Sequence, residues 1–472
     1  MISRNILLAA ATAAALAGCA TPGANPAADI RVPASWGMGD ARHNAPAVAQ
    51  SLEVTAPPAD IAADAWWRGF DNAQLDALID QVLATNTDMA VAGLRLQRAR
   101  LQAGLASADL WPSANGSVNA GGNRRIDSGD DWSENYSASV SLGWELDLWG
   151  KLRAQRDIAR WEAQASAADL QNTALLLVSQ TAELYWQIGY LNLAISTGQA
   201  NLERLQRIVE LVDVQYRAGQ VSMLEVRQAA QNLEAQKASQ AQLEQQRVEA
   251  RNALAVLLDG QPWPAEREAQ DLEGFAIPGI EPGLPAELLA RRPDLRAAEL
   301  RLRQSLKNIK VTATSYYPSI SLSGSVGGSS PDLSNVLSNP VASLGAGLSL
   351  PFLRFRQMQL NIESADLAYQ IAANQFRDTL YSALAEVDNA LSAREKLAVQ
   401  LAASQASYDH ALEIERLYEV RYRAGATDLR NWLDAQQTRR NAELSLAQAR
   451  RSVLVNQTTL YKALGGSAGN AP

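Results

Sequence analysis

Val140, Leu142, Trp144, Leu146 and Leu148 alternate with Ser139, Ser141, Gly143, Glu145 and Asp147. A period of two places these sets on opposite faces of a β-strand, predicted over 137–148. A weaker strand is predicted over 113–120, with a polar loop from Gly121 to Asn135 between the two. The pattern returns further along. Ile320 and Leu322 alternate with Ser319, Ser321 and Ser323, and Leu344, Ala346, Leu348 and Leu350 with Ser343, Gly345, Gly347 and Ser349. These predict strands over 318–326 and 342–352, joined by a loop from Gly327 to Pro340.

The rest of the chain has a helical period. One helix is predicted over 72–109, rich in Ala, Leu, Gln and Arg, and ended by Pro112. No proline occurs from Lys151 to Ala218, and an unbroken helix of that length reaches ~100 Å. Leu202, Leu205, Val209, Val212 and Tyr216 step by three and four, and Met223, Val226, Ala230 and Leu233 do the same beyond a turn. That is the seam of an antiparallel helical hairpin. Gly219 suits the left-handed residue that ends a helix. Ser222 with Glu225 forms a capping box, and Val221 can staple onto Val226. Gly425 and Asp428 fill the same posts later in the chain.

The whole design is written twice. Gln215-Tyr216-Arg217-Ala218-Gly219 recurs as Arg421-Tyr422-Arg423-Ala424-Gly425, an offset of 206. The same offset carries Trp111-Pro112-Ser113 onto Tyr317-Pro318-Ser319, Asp88 onto Asp294, and Leu258-Asp259-Gly260 onto Leu464-Gly465-Gly466. Residues 66–260 and 286–466 are therefore two copies of helix, two strands and long helical hairpin. A connector rich in Pro and Gly, 261–285, joins them, and 467–472 form a tail.

Composition narrows the function. With 42 basic and 50 acidic residues the net charge is −8, which argues against nucleic acid as partner. Two histidines and a single cysteine exclude a histidine-rich metal site, a Cys–His dyad and an internal disulfide. No phosphate-binding loop is present: Gly345 and Gly347 lie in a strand with no Lys-Ser/Thr after them. His410 reads as a surface residue of a charged helix. Glu145 and Asp147 read as a lumen or rim pair rather than glycosidase carboxylates. We therefore expect no enzyme activity and no cofactor. Residues 1–18 read as a secretory signal ending at Leu16-Ala17-Gly18-Cys19, with an apolar run too short to span a bilayer. Residues 19–65, rich in Pro and Ala, read as a tether.

Four amphipathic strands cannot close a barrel, and a barrel in lipid can have no free edge. The chain is therefore expected to associate with itself. Apolar strand faces would meet lipid, and serine-rich faces a wide aqueous lumen. The charged hairpins must lie outside hydrocarbon, so a barrel continuing into a helical tube reads as a conduit.

Several motifs carry a family likeness. They are Trp66-Trp67-Arg68 with Phe70 and Leu75, the Trp/Tyr-Pro-Ser strand starts, and Trp144-Glu145-Leu146-Asp147-Leu148-Trp149-Gly150-Lys151. To these are added Gly283-Leu284-Pro285, Leu288-Leu289, Arg291-Arg292-Pro293-Asp294-Leu295 and the two Tyr-Arg-Ala-Gly turns. In this order and in duplicate, the chain resembles the TolC-like outer-membrane factors. More narrowly, it is similar to the lipoprotein branch that serves resistance-nodulation-division efflux pumps. The resemblance implies a homotrimer whose three chains of four strands form a twelve-stranded β-barrel over a periplasmic α-helical barrel. It implies an outer-membrane exit duct for drugs or other small solutes, with a periplasmic adaptor and an inner-membrane transporter as partners. The Leu-Ala-Gly-Cys sequence resembles a lipobox, which implies lipidation of Cys19 and, with Ala20 following, an outer-membrane address.

By position, the resemblance also places a periplasmic gate at Asp434, Tyr422, Arg423, Arg430 and Asn431, with Asp434 as an acidic ring and a candidate divalent-cation site. Some members carry a second acid at Asn431 and a base at Thr427, where this chain departs. Read from residues alone, Asp434 is a solvated helix acid and Tyr422 a seam residue like Tyr216. The exposed, duplicated turns with Arg217, Gly219, Arg423 and Gly425 are expected to dock the adaptor. Two other readings remain: a duct for type I protein secretion, and a periplasmic coiled-coil lipoprotein that forms no channel.

Overall fold

A computed structural model of the chain describes Val32, Trp36 and residues 65–126, 131–280, 285–287 and 291–466. The signal, Cys19 and nearly all of the tether lie outside these residues, as do Gly283, Leu284, Leu288, Leu289 and the tail. The elements run α1 (Ala73–Thr85), α2 (Thr87–Ala108), β1 (Ser113–Asn123), β2 (Ser133–Leu146), α3 (Lys151–Arg217) and α4 (Met223–Leu257). After the connector come α5 (Pro293–Thr314), β3 (Ser319–Ser330), β4 (Val341–Ser349), α6 (Phe355–Arg423) and α7 (Leu429–Leu464). Helices α3 and α6 have 67 and 69 residues, each about 100 Å long. Among the described residues no helix is long and apolar enough to cross a membrane.

The helix predicted over 72–109 is two helices. Asn86 takes an extended backbone between them, and its side chain accepts from the Asp88 and Met89 backbone N–H groups at 2.8 and 3.3 Å. Its amide also donates to the Leu257 carbonyl at the end of α4 (3.0 Å). The second copy has the same device in different chemistry. Arg292, the N-cap of α5, donates to the Ala463 carbonyl near the end of α7 at 3.1 Å. The offset maps Asn86 onto Arg292 and Leu257 onto Ala463. Asp294 and Glu386, each 2.7 Å away, compensate the buried guanidinium.

The strands form one antiparallel sheet in the order β1-β2-β3-β4. They reach further into the loops than expected: β1 runs to Asn123, β2 begins at Ser133 and β3 ends at Ser330. Backbone pairing continues where side-chain alternation has faded, for example between Asn123 and Ser133. At the other end β2 stops at Leu146 and β4 at Ser349, short of the expected 148 and 352. Asp147 thus lies beyond the strand rather than on one face with Glu145. It accepts from the Leu152 and Arg153 backbone N–H groups at 3.0 and 3.1 Å and so starts α3.

The main core lies where the middles of α3 and α6 and the ends of α4 and α7 meet α1, the start of α5 and the connector. Trp66 stacks on Tyr461 (4.7 Å between centroids), and Trp186 packs edge-on against Phe70 (5.3 Å) and Phe275 (4.7 Å). Gly189 of α3 admits the connector closely, since a Cβ there would stand 2.9 Å from that of Ala269.

The hairpin seam differs from the prediction in detail. Leu205, Ile208 and Val212 of α3 are buried with Ala229 of α4, whereas Tyr216 and Met223 are exposed and Ala230 is only half-buried. The reason is tertiary. Leu429 and Leu433 of α7 join this cluster, so the seam turns toward the second hairpin as well as its own partner.

Candidate functional site

The sheet has two faces of opposite character, held in register. Across its four strands, Ala114, Leu142, Gly324 and Leu344 form one row, and Asn115, Ser141, Ser325 and Ser343 the next. Trp144, Leu322 and Ala346 continue the apolar face, as do Leu146, Ile320 and Leu348. On the other face, the Ser325 and Ser343 hydroxyls lie 2.7 Å apart, and those of Ser117 and Ser139 3.0 Å apart. The apolar face is left bare, with Leu344 96% exposed.

Aromatic groups mark where the sheet gives way to helices. Trp144 Nε1 donates to the Leu110 carbonyl (3.1 Å), and Trp149 Nε1 to the Pro318 carbonyl (2.7 Å). Trp149 also meets Tyr317 edge-on at 5.3 Å. Rings with one polar end suit the boundary between an apolar and a wet zone. Lys151 pairs with Glu145 across this boundary at 2.5 Å.

At the far end the two turns are built alike. Gly219 (φ +73°) and Gly425 (φ +68°) take the left-handed conformation. The Gln220 N–H closes onto Gln215 O at 2.9 Å, and the Ala426 N–H onto Arg421 O at 2.8 Å, as in a Schellman end. Ser222 and Glu225 form the expected capping box. Asp428 holds the N-cap position of α7, but its side chain makes no capping bond. Among the described residues, and apart from each glycine's own chain neighbours, no atom lies within 4 Å of a Cβ built at either position, so backbone conformation is what restricts them. Arg217 is exposed and pairs along its own helix with Asp213.

The five residues assigned to a gate do not form one cluster within the chain. Asp434 and Arg430 are each 71% exposed by side chain and lie 3.8 Å apart, one turn apart on α7. Asn431 donates to the Thr427 hydroxyl at 3.1 Å. Arg423 is exposed and pairs with Glu419 of its own helix at 2.5 Å. Tyr422 alone reaches other helices: it stacks on Trp432 of α7 (5.1 Å), and its hydroxyl donates to Gln215 Oε1 of α3 at 3.4 Å.

A stronger tie between the hairpins was not expected. Glu415 of α6 accepts from Arg204 of α3 at 2.7 Å and also pairs with Arg439 of α7. Glu415 and Arg439 are nearly buried, and Arg439 holds Glu443 as well, at 2.7 Å. Burial opposes the charge on Arg439, but Glu415 and Glu443 outweigh it and raise its pKa further. Beside it, burial and the Arg439 charge lower the pKa of Arg440, which bonds to the amides of Gln236 and Gln437. The signal was present in the repeat. Glu415 and Arg439 stand where the first copy has Val209 and Leu233, so two charges sit at seam positions.

A sheet bare on its apolar face, hydroxyl-lined on the other and continued by two hairpins of about 100 Å defines a membrane-channel subunit. Residues 78–260 and 284–466 match the outer membrane efflux protein family, and the chain belongs to that family. The pyoverdine export outer membrane protein OpmQ of Pseudomonas putida is 30% identical over 465 residues, covering 96% of this chain and 95% of that protein. The solved outer-membrane channel OprN matches with a TM-score of 0.75 and 29% identity, over 91% of this chain and 98% of OprN. The solved CusC channel matches with a TM-score of 0.78 and 25% identity, over 90% of this chain and 99% of CusC. The fold is therefore that of outer-membrane efflux channels, and the chain is an outer-membrane efflux protein.

Proposed function

We propose that three copies of this chain form a passive exit duct for small solutes in a tripartite pump, completed by a periplasmic adaptor and a resistance-nodulation-division transporter of the inner membrane. One observation carries the reading: the four-stranded sheet has an exposed apolar face, a hydroxyl face and two unpaired edges. Twelve such strands enclose a water-filled bore, whereas four enclose nothing. Cys19, as the lipidated residue of a lipobox, adds an anchor to the outer membrane. Conductance of the full, lipidated protein in a planar bilayer tests the duct. A detergent-soluble trimer that never conducts would remove it in favour of a coiled-coil scaffold.

The turns with Arg217, Gly219, Arg423 and Gly425 are the adaptor's docking points. Gly219→Leu or Gly425→Leu strains one left-handed residue at a cost of about 1–2 kcal/mol. Trimer yield should hold while export falls. Equal loss of trimer and export would show that the turns serve folding.

Asp434, once per protomer, is the acidic ring of the periplasmic gate and its candidate divalent-cation site, with Tyr422, Arg423, Arg430 and Asn431 around it. Arg430 at 3.8 Å offsets part of each acid's charge. Asp434→Ala should reduce cation selectivity and divalent block, and Arg430→Ala should strengthen both. Unchanged selectivity in both variants rules out the ring.

A further inference from the structure

The apolar face of the sheet is shorter than a membrane asks for. Along β2 it runs from Leu146 to Ala138, and beyond Ala138 the same face carries Tyr136 and Glu134. On β3 the paired stretch runs from Ile320 to Gly328, and Ser330 follows. The Tyr136 hydroxyl donates to Glu134 at 2.9 Å, so the strand face turns polar here. The eight steps from Leu146 to Ala138, at about 3.4 Å each, give roughly 27 Å along the strand. At a tilt of about 40° that is roughly 21 Å along the membrane normal, against an apolar band of about 25 Å in outer-membrane barrels. A further row of apolar groups is needed at the end away from the helices.

The loop from Pro331 to Pro340, which joins β3 to β4, is folded. The Asp332 N–H donates to Ser330 Oγ at 3.1 Å, and the Asn335 and Ser338 N–H groups donate to the Asp332 and Asn335 carbonyls at 3.0 and 3.1 Å. It leans to the apolar side. A Cβ on Gly328 would point out of the apolar face, and it would run into the Val336 carbonyl. The loop backbone therefore lies on that face, which only glycine at 328 permits. Val336 is buried, while Leu333 and Leu337 are left 68% and 77% exposed.

The first copy repeats the arrangement with other residues. The offset of 206 maps Gly122 onto Gly328. Gly122 lies on the apolar side of β1, in line with Val118 and Ala120, and a Cβ there would stand 3.2 Å from the Trp132 ring. Trp132 is itself exposed. At the same post of both copies, a glycine lets the chain beyond the strands fold back over the apolar face and present apolar surface there.

Resting on the duct reading, we infer that these segments form an apolar collar that places Leu333, Leu337 and Trp132 among the acyl chains of the outer leaflet. Membrane lipid is the occupant because the collar continues the bare rows of Leu142, Leu322 and Leu344. Leucine side chains gain by leaving water, and a tryptophan ring with one N–H suits the edge of the hydrocarbon. The Pro331–Pro340 loop is already held by its own hydrogen bonds, so insertion orders little further chain. A loop seated outward cannot also cover the bore. This loop therefore leaves the outer mouth open, and closure of the duct falls to the helical end.

Single cysteine variants of the full-length protein, labelled with bimane, test the collar. The wild type, with Cys19 alone, gives the background. The protein is reconstituted in vesicles of phosphatidylcholine brominated along its acyl chains, and iodide is added to the water. Leu344→Cys marks the lipid face and Ser325→Cys the hydroxyl face. Labels at Leu333→Cys and, independently, Leu337→Cys should be quenched by the brominated chains as at Leu344→Cys, and should escape the iodide that quenches the label at Ser325→Cys. In a conducting protein, iodide quenching at 333 and 337 with lipid quenching at 344 overturns the collar and leaves the duct standing. Shielding of 333 and 337 from both quenchers means that a neighbouring copy covers the loop, and it overturns the collar as well. Iodide quenching at 344 in a protein that never conducts takes the sheet out of the bilayer and removes the duct together with the collar.

Discussion

Trp186→Ala should lower stability by about 3–5 kcal/mol, the range for truncating a fully buried aromatic ring. Trp186 is 0% exposed. It touches Phe70, Tyr185 and Phe275, and its Nε1 reaches Thr458 Oγ1 at 3.5 Å. One ring thus joins the turn before α1, α3, α7 and the connector. Its loss leaves a cavity where the two copies are knitted together, and long helices relax poorly around a void held from four sides. Guanidinium unfolding of the purified protein measures the effect. A loss below about 1 kcal/mol would mean that this core can collapse without it.

Glu415→Ala should cost about 2 kcal/mol and loosen the hairpin tips, less than for a fully buried pair because Arg439 keeps Glu443 and Arg204 reaches water. The repeat supplies the decisive control. Glu415→Val with Arg439→Leu rebuilds the Val209/Leu233 pair of the first copy, and apolar residues often replace a buried ion pair without loss. The double variant should therefore be more stable than Glu415→Ala. Single-channel recording of both variants reads the tips: the alanine variant should spend more time open, while the double variant should stay shut. A double variant less stable than the single would show that the ion cluster is irreplaceable.

Glu415 and Asn86 show what reading the chain alone passes over. Asn86 sits within a stretch of good helix formers, and its break depends on a carbonyl 171 residues away. Glu415 breaks an apolar seam, and only Arg204 and Arg439, brought in from two other helices, make its charge tolerable. Trp432, which stacks on Tyr422, shows no such anomaly in sequence. Tyr216 and Met223 fit the seam by spacing yet lie exposed, because Leu429 and Leu433 draw the seam toward the second hairpin.

What the sequence by itself determined is whatever repeats locally: strand alternation, unbroken helical runs, the two glycine turns, the capping box and the offset of 206. Each follows from backbone geometry over a few residues, so one sequence suffices to see it. Tertiary structure alone decided the pairing of β2 with β3, the common core of six helices and the connector, and the ion cluster between hairpins. Those depend on which faces meet at long separation, and charge or apolar character has an energetic sign only once its neighbours are in place.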